Sequence, residues 1–363
     1  QNDKAISIVI PNLTDSNIYV DLLGNILDYC LARGGRIEAR ADFVKYNPSI
    51  VKYMKVLSLF VTFLLICSLF PVTQAGDVAP SVILADEAWE MGLTGKGVNI
   101  AVISTGIDNE HPGLEGKFVA GYDAVCSDDA LCVASLQVDD GSFDPDDQNQ
   151  QGTAVAAMAT STGLLANGEQ SNFTGAAPDA KLIDVRVATA FGDGYHIEQE
   201  FYESTVNGIQ WVIDNKNRQW AGAENDSFGI DIMVVPFGII SYESGGSDGS
   251  DMFSQVLDNA VSNGIIVVVA AGNDGSSNDG LSAMASSSLA ITVGSIDDKN
   301  SVSKEDDDIA SYSSRGPRKD NNDGTAHDEL KPDVVAPGTN IVQAEACVAS
   351  GSCYNRIPGQ DAA

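Results

Sequence analysis

The chain has 363 residues and carries 20 basic against 51 acidic side chains, a net charge of −31. That surplus repels phosphate backbones and anionic lipid, so it excludes nucleic acid and a membrane surface as partners of the mature form. It suits a solvated extracellular protein whose partner is a peptide or a protein.

The surplus is uneven. Residues 1–75 have a net charge of +1 and the remainder −32, which marks a boundary in composition. The first methionine is Met54, followed by Lys55 and an apolar run from Val56 to Phe70. Pro71 breaks the run, and Thr73-Gln74-Ala75 reads as a cleavage site, so residues 54–75 are expected to be a secretory signal peptide. The run is shorter than the roughly 20 residues a membrane span needs, and a signal anchor is the alternative. Residues 1–53 are read as sequence upstream of the true start, against the alternative of a genuine N-terminal extension. Residues 76–363 remain as the mature domain, secreted or displayed on a cell surface.

Within it, continuous apolar runs of strand length alternate with helical patterns. Val98–Ile103 and Lys181–Val187 read as strands, and Glu198–Lys216 as a helix with Phe201, Val206, Ile209, Val212 and Ile213 on one face. Met233–Phe237 is a third strand. Asp251–Ser262 is a helix with Phe253, Leu257 and Val261 at a spacing of four, and Gly264 lies just past its end. The most apolar strand lies within Gly264–Ala271, and Ile291–Val293 follows. Apolar strands alternating with amphipathic helices imply an α/β fold whose mainly parallel sheet is covered by helices on both faces. Sites in such sheets lie beyond the carboxyl ends of the strands.

Cys30 and Cys67 fall before the mature domain, leaving the close pairs Cys126 with Cys132 and Cys347 with Cys353. Four cysteines allow three pairings, and proximity in an oxidising compartment favours two local disulfides. The acidic loop Asp139–Asp147 offers Asp144, Asp146 and Asp147 as calcium ligands, against the plainer reading of a solvated loop. Asp320–Gly324 is similar, and neither stretch keeps an EF-hand register. No other cofactor is expected. Asn172-Phe173-Thr174 and Asn225-Asp226-Ser227 are glycosylation sequons.

Five blocks, in order, resemble the subtilases, the subtilisin-like serine proteases. LTGKGVNIAVISTGIDNEHPGLEGK (93–117) is similar to the segment bearing that family's catalytic aspartate, and DPDDQNQQGTAVAAMA (144–159) to its histidine segment. GIIVVVAAGNDG (264–275) resembles the strand that delivers the oxyanion-hole asparagine. SYSSRGP (311–317) and LKPDVVAPGTNI (330–341) resemble the approach to the catalytic serine. The resemblance implies a subtilisin-like doubly wound fold over about residues 79–363, truncated before the helix that follows the serine.

The three catalytic positions depart from the family. Asp-Thr-Gly is replaced by Ser104-Thr105-Gly106, and His-Gly-Thr-His by Gln151-Gly152-Thr153-Ala154. Gly359 and Ala363 align with the ends of Gly-Thr-Ser-Met-Ala, which puts Asp361 at the nucleophile. Asn273 alone keeps its identity, as the oxyanion donor; a turn that needs a polar residue is the plainer account of it. The substrate strand, Ser-Leu-Gly in the family, reads Pro236-Phe237-Gly238. Proline lacks a backbone donor and phenylalanine is expected to enlarge a pocket wall, so peptide pairing is weakened or reshaped.

An amide cannot serve as a near-neutral base, and Asp361 offers no hydroxyl. Asp361 and Gln151 also have structural readings, as a helix N-cap and as a local hydrogen-bonding group. The sequence therefore points to a secreted pseudo-peptidase acting by binding or as a scaffold. The alternatives are an active serine endopeptidase with a relocated base, and a structural module of a larger envelope protein.

Overall fold

The computed structural model describes residues 79–125, 145, 147, 149–165, 167–188, 198–220, 228–239, 244–324, 327 and 329–346, with two short strands nearer the N-terminus. The chain forms two units, residues 1–72 and 73–363. In the first, Ile6–Ser7 pairs in parallel with Ile37–Glu38. The signal segment 54–75, Asp144, Asp146 and Asp361 lie outside the described residues. So do Cys126, Cys132, Cys347 and Cys353, and with them both of the disulfides expected from the sequence, Cys126 to Cys132 and Cys347 to Cys353.

The second unit opens with two short helices, α1 (Ala79–Val82) and α2 (Ala85–Glu90). The strand β1 (Asn99–Ser104) follows, buried at all six positions, as an apolar run in mid-sheet must be. Next come β2 (Phe118–Asp123), α3 (Gln151–Thr160), and an antiparallel hairpin of β3 (Thr162–Leu164) with β4 (Gln170–Thr174). After it lie β5 (Lys181–Arg186), α4 (Glu198–Asn215) and β6 (Ile232–Val235). Helix α5 (Met252–Ser262) is capped by Asp251, whose side chain accepts from the N–H groups of Phe253 and Ser254. It stops at Gly264, whose φ of +83° suits a residue without Cβ. The chain continues through β7 (Ile266–Ala270), β8 (Ile291–Asp297), β9 (Asp308–Ile309) and β10 (Val334–Pro337). The predicted elements thus appear where the periodicity put them, with ends shifted by a residue or two, except that the strand read as Ile291–Val293 runs on to Asp297.

The main sheet runs β9-β8-β7-β6-β1-β5-β2, with β10 also paired to β8. Every pairing in it is parallel except β8 with β9. One face carries Ala101, Ile103, Met233, Val235, Val267 and Val269 in a single buried cluster with Ile209 and Val212 of α4 and Leu257 and Ala260 of α5. The other face packs Ile100, Val102, Leu114 and Leu182 against Ala156 and Ala157 of α3. Covering a parallel sheet on both faces is what makes the fold doubly wound. Strand order reverses beside β1: from β5 on one flank the chain crosses to β6 on the other. Crevices at such a reversal, beyond the carboxyl ends of the strands, are where α/β folds place their sites.

Candidate active site

Three stretches meet at that end of the sheet: the end of β1, the start of α3 and the residues after β6. Ser104 closes β1 and is 1% exposed. Its hydroxyl has no hydrogen-bond partner among the described residues. In register beside it stands Arg186, which forms a buried ion pair with Asp123, the next strand's partner in the same row.

Gln151 is the first residue of α3. The residue before it, Gln150, sits at φ +86° and offers no side-chain cap to the helix. Asp147 supplies one instead. Its Oδ1 accepts from the Thr105 hydroxyl (2.9 Å) and from the N–H groups of Asn149 and Gln150 (both 2.8 Å). Its Oδ2 accepts from Thr153 twice, the N–H at 2.9 Å and the hydroxyl at 2.7 Å. A carboxylate at a helix N-terminus is favoured both by these unpaired N–H groups and by the helix dipole. Asp147, which the sequence offers as a calcium ligand against the plainer reading of a solvated loop, has both oxygens engaged in hydrogen bonds within the fold.

The same network presses α3 onto the β1 turn. The Gly152 N–H donates to the Thr105 hydroxyl at 3.0 Å. A Cβ on Gly152 would lie 1.9 Å from the Gly106 carbonyl oxygen, so only glycine permits the contact. Ser104 and Gln151 are thereby held on adjoining segments. The Gln151 amide reaches the third stretch, donating from Nε2 to the Pro236 carbonyl at 3.1 Å.

Phe237 is buried, and its ring belongs to the core, 5.3 Å between centroids from Phe201. Gly238 is exposed. Asn273 lies in the loop after β7, exposed, and its side chain makes no hydrogen bond among the described residues. That loop is braced from the SYSSRGP stretch: the Ser314 hydroxyl accepts from the Asp274 N–H at 3.1 Å, and the Ser314 N–H donates to the Gly272 carbonyl at 2.9 Å.

Two of the three histidines are described. His111 is buried and its Nδ1, the basic nitrogen, accepts from the Gly113 N–H at 3.1 Å, capping a short 3₁₀ turn. His327 is exposed and His196 lies outside the described residues. An apolar recess of about 160 Å³, lined by Pro80, Ile83, Met158, Phe173 and Pro337 among others, includes none of the predicted site residues. Sequence reasoning missed the hub at Asp147. The signal for it was present, an acidic residue just upstream of a helix start, but the surrounding run of aspartates made it look like a loop.

Fold and site together define an α/β protein of the doubly wound class with its site at the strand-order reversal. A model of the subtilase family matches residues 95–361, and the chain belongs to that family. Among its relatives are serine protease AprX of Bacillus subtilis, 34% identical over 69% of this chain and 48% of the relative, and the major intracellular serine protease of the same organism, 31% identical over 72% and 64%. Subtilisin E, also of Bacillus subtilis, is 32% identical over 72% of this chain and 52% of its own length. The chain spans about half to two thirds of the curated relatives it matches. A solved cold-adapted subtilisin-like serine proteinase is similar at 23% identity and a TM-score of 0.45, over 72% of this chain and 68% of that one.

Proposed function

We propose that this chain is a secreted pseudo-peptidase, a subtilase fold that does not cleave peptide bonds and acts by binding a peptide or protein or as a scaffold. The observation that carries the reading is at Gln151. The residue at the base position is an amide, and that amide is donated to the Pro236 carbonyl. A base for serine attack must accept a proton near neutral pH, and an amide does not titrate there.

Two further features support it. The Ser104 hydroxyl, where the resemblance places the carboxylate that orients the imidazole, is buried without a partner among the described residues. A neutral hydroxyl would not stabilise an imidazolium. The stretch after β6 also has a reduced capacity to pair with a peptide. Pro236 has no N–H, and its carbonyl already accepts from Gln151. Loss of both nucleophile and base from such a triad costs about 10⁶-fold in kcat, leaving only what an oxyanion donor such as Asn273 and binding can supply.

The test is fluorophosphonate labelling of the full chain, with a peptide-library cleavage assay beside it. The comparison protein carries Ser104→Asp, Gln151→His and Asp361→Ser together. Silence of the natural chain with labelling of the triple variant is the expected result. Labelling or cleavage by the natural chain overturns the reading.

A further inference from the structure

The recess of about 160 Å³ takes no residue from the candidate active site, and separate elements build its walls. Pro80 and Ile83 come from α1, Met158 from α3, Phe173 from β4 and Pro337 from β10. These side chains are apolar and offer water no hydrogen bond, so the hollow suits an apolar occupant. Ile83 is 48% exposed and Met158 44%, and Leu84, beside Ile83, is 45% exposed. Leu84 is also held at φ +61°, a conformation uncommon for a residue with a Cβ. Strain of that kind persists where the surrounding structure enforces it, and it clusters at binding sites. Apolar groups gathered around one hollow mark a binding surface in a way that scattered ones do not.

One flank of the recess is acidic. Two bonds tie α2 to it. The Ser81 hydroxyl, between Pro80 and Ile83 in α1, donates to Asp86 at 2.8 Å. Trp89 Nε1 donates to the carbonyl of Ala176, a residue of the recess wall, at 3.0 Å. Helix α2 reads ADEAWE, and neither α1 nor α2 contains a lysine or arginine. Glu87 and Glu90 are exposed and form no ion pair among the described residues. Unneutralised carboxylates beside an apolar hollow complement an apolar group flanked by cations.

We propose that this recess docks a cationic peptide segment by one aromatic side chain, while arginines or lysines next to that side chain meet Asp86, Glu87 and Glu90. The proposal rests on the reading that the chain acts by binding a peptide or protein, and it gives that binding a place outside the crevice. A cavity of about 150 Å³ holds benzene, so the recess takes a single ring. Phe173 and Met158 favour a ring over an aliphatic group, the one through edge-to-face packing and the other through its thioether. The exposed carboxylates steer the peptide and set its preference more than its affinity. One anchor with screened charges beside it sets a dissociation constant of about 10⁻⁴ M.

The test is an NMR titration of the full chain with isotope-labelled methionine methyl groups, so that Met158 reports from the recess wall. Met158→Leu, a volume-conserving change, assigns the resonance. The probe is a blocked pentapeptide with phenylalanine between two pairs of arginines. It is expected to move the Met158 methyl saturably, with half-saturation at about 10⁻⁴ M. Serine in place of the phenylalanine should weaken binding about ten-fold or more, and glutamates in place of the arginines should abolish it. Glu87→Gln/Glu90→Gln should weaken the arginine peptide about three- to ten-fold. Glu305→Gln/Asp306→Asn removes the same charge from exposed positions before β9 and should leave affinity within about two-fold.

An unmoved Met158 methyl overturns the proposal. So does an equal loss in the two double variants, which would mean attraction to the overall charge, and so does a serine peptide that binds as well as the phenylalanine one. A Met158 resonance that shifts with the chain's own concentration before peptide is added also overturns it, and assigns the recess to a second copy of the chain. None of these outcomes bears on whether the chain cleaves peptides, which fluorophosphonate labelling decides separately.

Discussion

The side chain of Gln151 is bonded to the backbone of Pro236, Nε2 to carbonyl oxygen at 3.1 Å. One residue begins α3 and the other follows β6, so the bond joins two segments at the end of the sheet where the strand order reverses. On the proposed reading, an uncharged amide and a proline stand here in place of a base and a peptide-pairing residue. The bond is half-buried and neutral, worth about 0.5–1.5 kcal/mol net, and Gln151→Ala should lower unfolding free energy by that amount while the fold persists.

Stepwise restoration tests which position each residue occupies. On the proposed reading, Asp361→Ser with Gln151→His returns a nucleophile and a base, while Ser104 still cannot orient the imidazole. Adding Ser104→Asp should then raise kcat on a peptide substrate by about 10⁴-fold, the scale of losing the carboxylate from an intact triad. A double variant as fast as the triple one would mean that Ser104 does not stand at the carboxylate's place.

Asp147 should matter more to stability than Ser104 or Gln151. Both its oxygens are occupied, by Thr105, Asn149, Gln150 and Thr153. Asp147→Ala removes a helix cap and strands several buried donors at once. A cap alone is worth about 1 kcal/mol and each buried unsatisfied donor about 1–3 kcal/mol, so a loss of about 3–5 kcal/mol is expected in urea unfolding. A loss under about 1 kcal/mol would show that the hydroxyls re-pair elsewhere.

Much of this fold was legible because its strands are buried on both faces. Runs such as Asn99–Ser104 and Ile266–Ala270 stand out as continuous apolar segments, and helices such as Met252–Ser262 bring their own cap and stop residues. The short edge strands β9 and β10 carried no such signal, since two to four largely exposed residues have no periodicity to read. At the site, the identities of Ser104, Gln151 and Asn273 were visible, but the contacts that organise them were not. The Gln151–Pro236 bond joins residues 85 apart in sequence and Asp147 reaches 42 residues back to Thr105. That the Phe237 ring joins the core was out of reach for a related reason, because a strand's alternation decides which face a side chain joins only once its register is known.

Gly152 is a second point where the fold has no slack. Its absent Cβ leaves room for the Gly106 carbonyl, 1.9 Å from where that carbon would be. Gly152→Ala must part α3 from the β1 turn, breaking the Gly152–Thr105 bond, and should cost about 3 kcal/mol or more. Gly92 is the control, with nothing within 4 Å of its hypothetical Cβ and only its φ of +80° to penalise alanine. Gly92→Ala should cost about 1–2 kcal/mol. Equal losses in guanidinium unfolding would mean that the α3 contact yields easily.

Lys117 gives the fold a pH dependence of its own. It precedes β2, is 6% exposed, and its ammonium donates to the Pro178 carbonyl. Burial pushes its pKa below the ordinary lysine range, with Lys181 adding to the effect and Asp179 opposing it. Below the folded-state pKa the lysine is charged in both folded and unfolded chains, and the cost of burying that charge is fully present. As pH rises from the folded pKa toward the unfolded value, the unfolded chain holds the extra proton, so stability rises with pH across that window. Lys117→Met removes the titration and, at every pH, the bond to Pro178. The stability of the natural chain relative to Lys117→Met should therefore be lowest near neutrality and should climb as the pH rises toward the ordinary lysine value of about 10.5, as measured by urea unfolding of both proteins at matched ionic strength. A difference that stays flat over that range would mean that the ammonium is as well solvated in the folded chain as in water, and that the carbonyl of Pro178 fully replaces its hydration.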